Sequence, residues 1–213
     1  MSSSPYTILE AKEHPLGRWF WQVFSRRSIQ MRFQDLIIQD ETQLDPDRSI
    51  LLLSNHVSWW DGFWAYEVCR RLWGKSYHVM MLEEQLQQRH LLRYAGAYSV
   101  KLGHRSIIQS LNYSAQLLEN PQNLVQIFPQ GKIHSLYQSL EDTDFSGGAE
   151  RILQKVQAPV QLIFAVAMVD YFSHSKPTLY YYLENGPENK PYLLKEAYLD
   201  FYERCRLQQV MLS

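Results

Sequence analysis

Cysteine is scarce in this 213-residue chain: Cys69 and Cys205 are its only two, far apart and in no C-x-x-C or zinc-type spacing. Such a pair builds neither a disulfide scaffold nor a structural metal site, and it fits a reducing compartment. An excess of one charge is missing too. Lys and Arg total 21 against 22 Asp and Glu, a net charge of -1, so no overall basic field draws the chain to a polynucleotide. Nucleic acid is not an expected partner. Long apolar runs are also absent: the longest, such as Leu162 to Val169, fall far short of the roughly 20 residues that a bilayer-spanning helix needs. The segment from Met1 to Pro15 is polar and carries Glu10, Lys12 and Glu13, unlike a secretory leader. The expectation is a chain that does not cross a membrane. No repeat or low-complexity tract appears.

What is present describes a compact globular protein, with 46% hydrophobic, 14% aromatic and 20% charged residues. Leu16 to Phe33 reads as a helix in which Leu16, Trp19, Phe20, Val23 and Phe24 recur at helical spacing among Arg18, Arg26, Arg27 and Arg32. Rings at headgroup level and guanidinium groups on anionic lipid make such a segment an interfacial helix; core packing with solvated arginines is the other reading. Short strands follow at Phe33 to Gln39 and Ser49 to Leu53. The second, SILLL, is apolar throughout, as suits a central strand buried on both faces, and it runs out into Ser54, Asn55 and His56. Helices are then expected at Trp60 to Trp73, Glu83 to Tyr94, Ser106 to Leu118, Gly147 to Val156 and Pro191 to Leu212. Strands are expected at Tyr77 to Leu82, Tyr98 to Lys101, Leu124 to Phe128, Val160 to Val169 and Leu179 to Leu183. Alternation of this kind means an α/β fold: one domain with a central, mostly parallel or mixed sheet flanked by helices. The amphipathic segment makes up residues 1–40 and the main domain 41–213.

Two strand-end turns carry the candidate chemistry: Asn55-His56-Val57-Ser58-Trp59-Trp60-Asp61 and, about 70 residues on, Phe128-Pro129-Gln130-Gly131-Lys132. On a regular helix, residues five apart diverge by about 140°, so His56 and Asp61 meet only if the chain turns between them. An Asp that holds one ring nitrogen leaves the other as a base able to deprotonate a hydroxyl. Ser58 lacks the glycines of a nucleophile elbow, and no Cys stands near, so a covalent acyl-enzyme is not suggested.

These blocks, N-H-x-x-W-W-D followed by F-P-Q-G, resemble the glycerolipid acyltransferase family, whose best-known members are 1-acylglycerol-3-phosphate O-acyltransferases. The resemblance covers most of the chain, including Ala158-Pro159-Val160 leading into an apolar strand. It implies that His56 is the general base on the acceptor hydroxyl, which attacks the thioester of acyl-CoA or acyl carrier protein, and that Asp61 orients His56. It implies no metal and no redox cofactor. Asn55, Phe128, Pro129, Gln130, Gly131 and Lys132 fall among its substrate-binding positions. Two departures stand out. Leu102 occupies the place of an Arg thought to hold the acceptor phosphate, which leaves Arg105 and then Lys101 as candidates, either of them equally a surface charge. Gln130 replaces the usual Glu, which with Lys132 leaves the pocket more positive.

Both substrates of such an enzyme carry lipid chains. Trp59, Trp60, Phe63 and Trp64 are the candidate lining of an acyl groove, with helix packing as the competing role for each, and Trp19, Phe20, Trp21 and Phe24 gain a purpose at a membrane surface. The expected acceptor is a lysophospholipid, by default 1-acylglycerol-3-phosphate. Another lipid alcohol, such as a glycosylated isoprenoid, and a non-catalytic lipid-binding module are the alternatives. The expected location is peripheral, on the cytoplasmic side of a membrane.

Overall fold

A computed structural model describes residues 7–12, 14–101, 106–138, 140, 145–188 and 193–212. Seven strands form one mixed sheet in the order β1-β7-β6-β2-β5-β3-β4. They are β1 (Leu36–Asp40), β2 (Ser49–Ser54), β3 (Ser76–Leu82), β4 (Ala97–Val100), β5 (Asn123–Ile127), β6 (Val160–Asp170) and β7 (Thr178–Asn185). The five strands from β6 to β4 run parallel. β7 turns back antiparallel to β6, and β1 follows β7 in parallel.

The centre of the sheet is β2, where Ile50, Leu51, Leu52 and Leu53 are all fully buried. Alternation sends Ile50 and Leu52 to one face, under α1 (Pro15–Arg32) and α2 (Asp61–Leu72). Leu51 and Leu53 face α4 (Ser106–Leu118), α5 (Gly148–Lys155) and α6 (Leu194–Val210). Each such side chain adds about 1.5–3 kcal/mol over remaining exposed, which is why an uninterrupted apolar strand belongs here.

Most expected elements appear within a residue or two. One expected helix, Glu83 to Tyr94, is instead two pieces: α3 (Glu83–Gln88) and a 3₁₀ turn at His90–Ala95, separated by the non-helical Arg89. The turn ends at Gly96 with φ 92°, and a Cβ there would fall 1.9 Å from the Tyr77 carbonyl oxygen. Only glycine lets the chain pass β3 this closely and enter β4. The start of the final helix expected at Pro191 lies outside the described residues, and the helix is seen from Leu194.

The division at residue 40 does not describe the packing. β1 is a strand of the common sheet, and α1 is fastened to α2 by the rings of Trp21, Phe24, Trp60 and Phe63, with Phe24 5.3 Å from Phe63 and Trp21 5.8 Å from it. The Arg32 guanidinium caps this cluster, 3.8 Å from the Trp60 ring. No helix among the described residues is long and apolar enough to cross a membrane.

Candidate active site

β2 and β5 are neighbours in parallel register, with Leu53 opposite Ile127. Their exits therefore lie side by side, and the two motifs about 70 residues apart become one site at the carboxyl ends of the strands, where open α/β sheets hold ligands. The His56 ring lies on the Phe128 ring, centroids 4.1 Å apart and planes at 18°. The His56 backbone N–H donates to Gln130 Oε1 at 2.9 Å, and its carbonyl accepts from the His134 N–H at 2.8 Å.

Between His56 and Asp61 the chain makes the required turn. The Asp61 N–H donates to the Ser58 carbonyl, while Asp61 Oδ2 accepts from the Val57 and Ser58 N–H groups at 2.7 and 2.9 Å and from His56 Nδ1 at 2.9 Å. Asp61 opens α2, so the helix N-terminus also favours its charge. Burial nevertheless pushes the Asp61 carboxyl above the ordinary carboxylate range, against the pull of His56 and the two backbone donors. A carboxylate only accepts, so Nδ1 carries the proton and Nε2 is left with a free lone pair. This arrangement can take a proton from a hydroxyl.

The family model described as Acyltransferase matches residues 35–165, well over half of the chain. The chain belongs to the acyltransferase family. No curated protein matches this acyltransferase in sequence. Among solved structures it is similar to the crystal structure of the 1-acyl-sn-glycerophosphate (LPA) acyltransferase, PlsC, from Thermotoga maritima, with a TM-score of 0.56 and 14% identity over 91% of this chain and 78% of that one. At that identity the likeness is one of fold.

The acyltransferase has a cavity of about 640 Å³ beginning at His56 and Phe128, and its wall comes from both faces of the sheet. On the α1/α2 side its wall includes Phe63, Val79, Leu92 and Ala97, with Tyr77 and Ser25. On the side of α4 and α5 it includes Met80, Ile107, Leu111 and Gly148. Among the described residues no Asp or Glu lines it, and its only lining cations are Lys132 and Arg151. Motif reading named Lys132 but missed Arg151, which lies on α5 outside every motif. It also missed Met80, Leu111 and the other ordinary apolar residues of the wall, because nothing in a periodic apolar pattern separates a cavity wall from a core.

Of the residues expected to line an acyl groove, Trp59 and Phe63 line this cavity. Trp60 and Trp64 do not: Trp60 is held between Phe24, Phe63 and Arg32, and Trp64 is buried edge-on against Phe33 at 5.4 Å. Asn55 is likewise turned away from the cavity. Its amide is spent on the Ala167 backbone, and it is 1% exposed. Gly131, at φ 69°, lines the mouth where a side chain would be strained, and Pro129 is buried beneath it. Lys101 is exposed and outside the lining, and Arg105 and Leu102 lie outside the described residues. Both thiols are buried, Cys205 pushed up to about 12 by burial, and neither lines the cavity.

Proposed function

We propose that the enzyme transfers a fatty acyl group from acyl-CoA or acyl carrier protein to the hydroxyl of a lysophospholipid, by default 1-acylglycerol-3-phosphate, and so serves phospholipid biosynthesis. His56 Nε2 takes the hydroxyl proton, the oxygen attacks the thioester carbonyl carbon, and the C–S bond breaks as the thiolate recovers the proton from the imidazolium. Asp61 holds the ring and offsets its transient charge. The observation that carries this reading is the His56–Asp61 pair at the wall of a largely apolar cavity of about 640 Å³, which suits a lipid chain. Lys132 and Arg151 at its wall suit an acidic headgroup, so they take the part that Leu102 cannot.

The N–H groups of His56, Val57 and Ser58 are engaged on Gln130 and Asp61, so these three are not free for an oxyanion. The start of α5 at Gly147 and Gly148 lies on the cavity wall, where first-turn N–H groups lack intrahelical partners, and it supplies those donors. Membrane contact falls to α1, whose outer row Leu16, Trp19 and Phe20 is exposed. The test is mass spectrometry of products after purified protein meets acyl-CoA or acyl carrier protein donors and a panel of lyso-lipids and lipid alcohols. An ester formed on 1-acylglycerol-3-phosphate, and lost in His56→Ala, is the expected result. Esterification of a neutral lipid alcohol alone overturns the acceptor.

A further inference from the structure

A second cavity, of about 230 Å³, lies at the opposite end of β3 from His56, between the first half of α1, α2 and the turn at Gly74–Ser76. Among the described residues four cations line it, Lys12, Arg18, Arg70 and Lys75, and no Asp or Glu does. Two of them are occupied. Glu67, fully buried, takes Arg70 and Arg71 together at 3.1 and 2.7 Å. The Lys75 ammonium donates to the Pro46, Arg48 and Pro121 carbonyls, with Asp45 and Asp47 close enough to act on it. Lys12 and Arg18 are left without an acidic partner among the described residues. The Lys12 ammonium stands 5.5 Å from the Tyr94 ring centre, and Arg18 Nη1 donates to Ser76 Oγ at 3.3 Å.

On α1, Arg18 and Gln22 are one turn apart and face this cavity, while Trp19 begins the next row, 63% exposed, beside Leu16 and Phe20. A cationic hollow thus opens at the margin of an exposed apolar strip. We propose that this hollow seats the phosphate of an anionic membrane phospholipid, held by Lys12 and Arg18 while its chains lie along Leu16, Trp19 and Phe20. A guanidinium and an ammonium set around a small polar hollow match a phosphate, and the strip matches the acyl region beside it. The site is separate from the reacting centre, and it rests on the reading of α1 as an interfacial helix.

Full-length protein is to be tested for sedimentation with phosphatidylcholine vesicles with and without phosphatidic acid, and for displacement by inorganic phosphate. Two double variants each remove two charges from the same stretch: Lys12→Ala with Arg18→Ala, and Arg26→Ala with Arg27→Ala, which lie exposed on α1 outside the hollow. The first should weaken binding to phosphatidic acid vesicles about tenfold more than the second, and millimolar phosphate should displace wild type but not the first variant. Equal losses in both variants mean general attraction only and overturn the site. Phosphate binding that leaves vesicle binding unchanged makes it a free-phosphate site and overturns the lipid. If replacing Leu16, Trp19 and Phe20 abolishes vesicle binding while the Lys12/Arg18 variant binds as wild type, α1 remains the anchor and the headgroup site falls. Absence of vesicle binding by wild type overturns both.

Discussion

Asn55 and Ala167, 112 positions apart, are joined by two hydrogen bonds: Asn55 Nδ2 donates to the Ala167 carbonyl at 2.9 Å, and the Ala167 N–H donates to Asn55 Oδ1 at 2.8 Å. The exit of β2 is thereby clamped to β6 one residue before His56. Asn55→Ala leaves a buried backbone donor and acceptor without partners, which costs about 1–3 kcal/mol each. The expected outcome is a loss of about 2–6 kcal/mol in urea unfolding, a large share of a domain's stability. The acceptor KM of the protein that remains folded should change little, because the side chain never reaches the cavity.

His56→Ala removes the only histidine that lines the cavity among the described residues. A general base contributes about 10²–10⁴-fold, so kcat should fall by that factor while the melting temperature stays close to wild type. Near-normal single-turnover rates in this variant would exclude the dyad.

Asp61→Asn should separate activity from stability. Burial raises the Asp61 pKa, so the folded state holds its proton more tightly than the unfolded chain does. The stability tied to that proton is complete below about 3.8 and is lost as pH rises through the raised native value. The amide has no such loss. Turnover should collapse because the ring loses its fixed tautomer, yet the stability of Asp61→Asn relative to wild type should grow as pH is raised from strongly acid toward neutral. Parallel denaturation curves across that range check the sign, and a falling difference would contradict it.

Lys132 and Arg151 reach the cavity from different elements, the turn after β5 and helix α5. For a phosphorylated acceptor, Arg151→Ala and Lys132→Ala should each raise the acceptor KM far more than the donor KM, with the guanidinium mattering more because it binds phosphate through two parallel bonds. Lys101→Ala, outside the lining, should have little effect. Small and uniform effects would favour a neutral acceptor.

How far the sequence reached follows from what each signal encodes. Ile50 to Leu53 announced a central strand because nothing but apolar residues tolerates burial on both faces, and His56, Asp61 and Phe128 were legible because their spacing needs a turn and a neighbouring strand. Asn55 was not legible, since a polar residue inside a motif looks the same whether it meets a substrate or a backbone. Arg151 was hidden for the opposite reason: one arginine on a short helix carries no pattern, and only the fold of α5 against the mouth gives it a place. Trp60 and Phe24 looked like groove and membrane residues, but they meet each other, with ring centroids 6.3 Å apart.

That pairing decides the last prediction. Phe24 faces inward with Trp21, Trp60 and Phe63, so the exposed apolar row of α1 is Leu16, Trp19 and Phe20, with Arg26 and Arg27 exposed further along. Placing those three side chains in the interfacial layer contributes several kcal/mol at about 25 cal/mol per Å² of apolar surface, and anionic lipid adds an attraction that salt screens. The triple variant Leu16→Ser, Trp19→Ser, Phe20→Ser should keep its circular dichroism spectrum and melting temperature, because those side chains support little of the core, yet lose most of its flotation with liposomes. Phe24→Ser should do the reverse, melting earlier because it opens a hole between α1 and α2. If the folded triple variant floats as wild type does, membrane contact belongs to the cavity mouth instead, around Trp59, Leu82 and Ile133, whose side chains are also exposed.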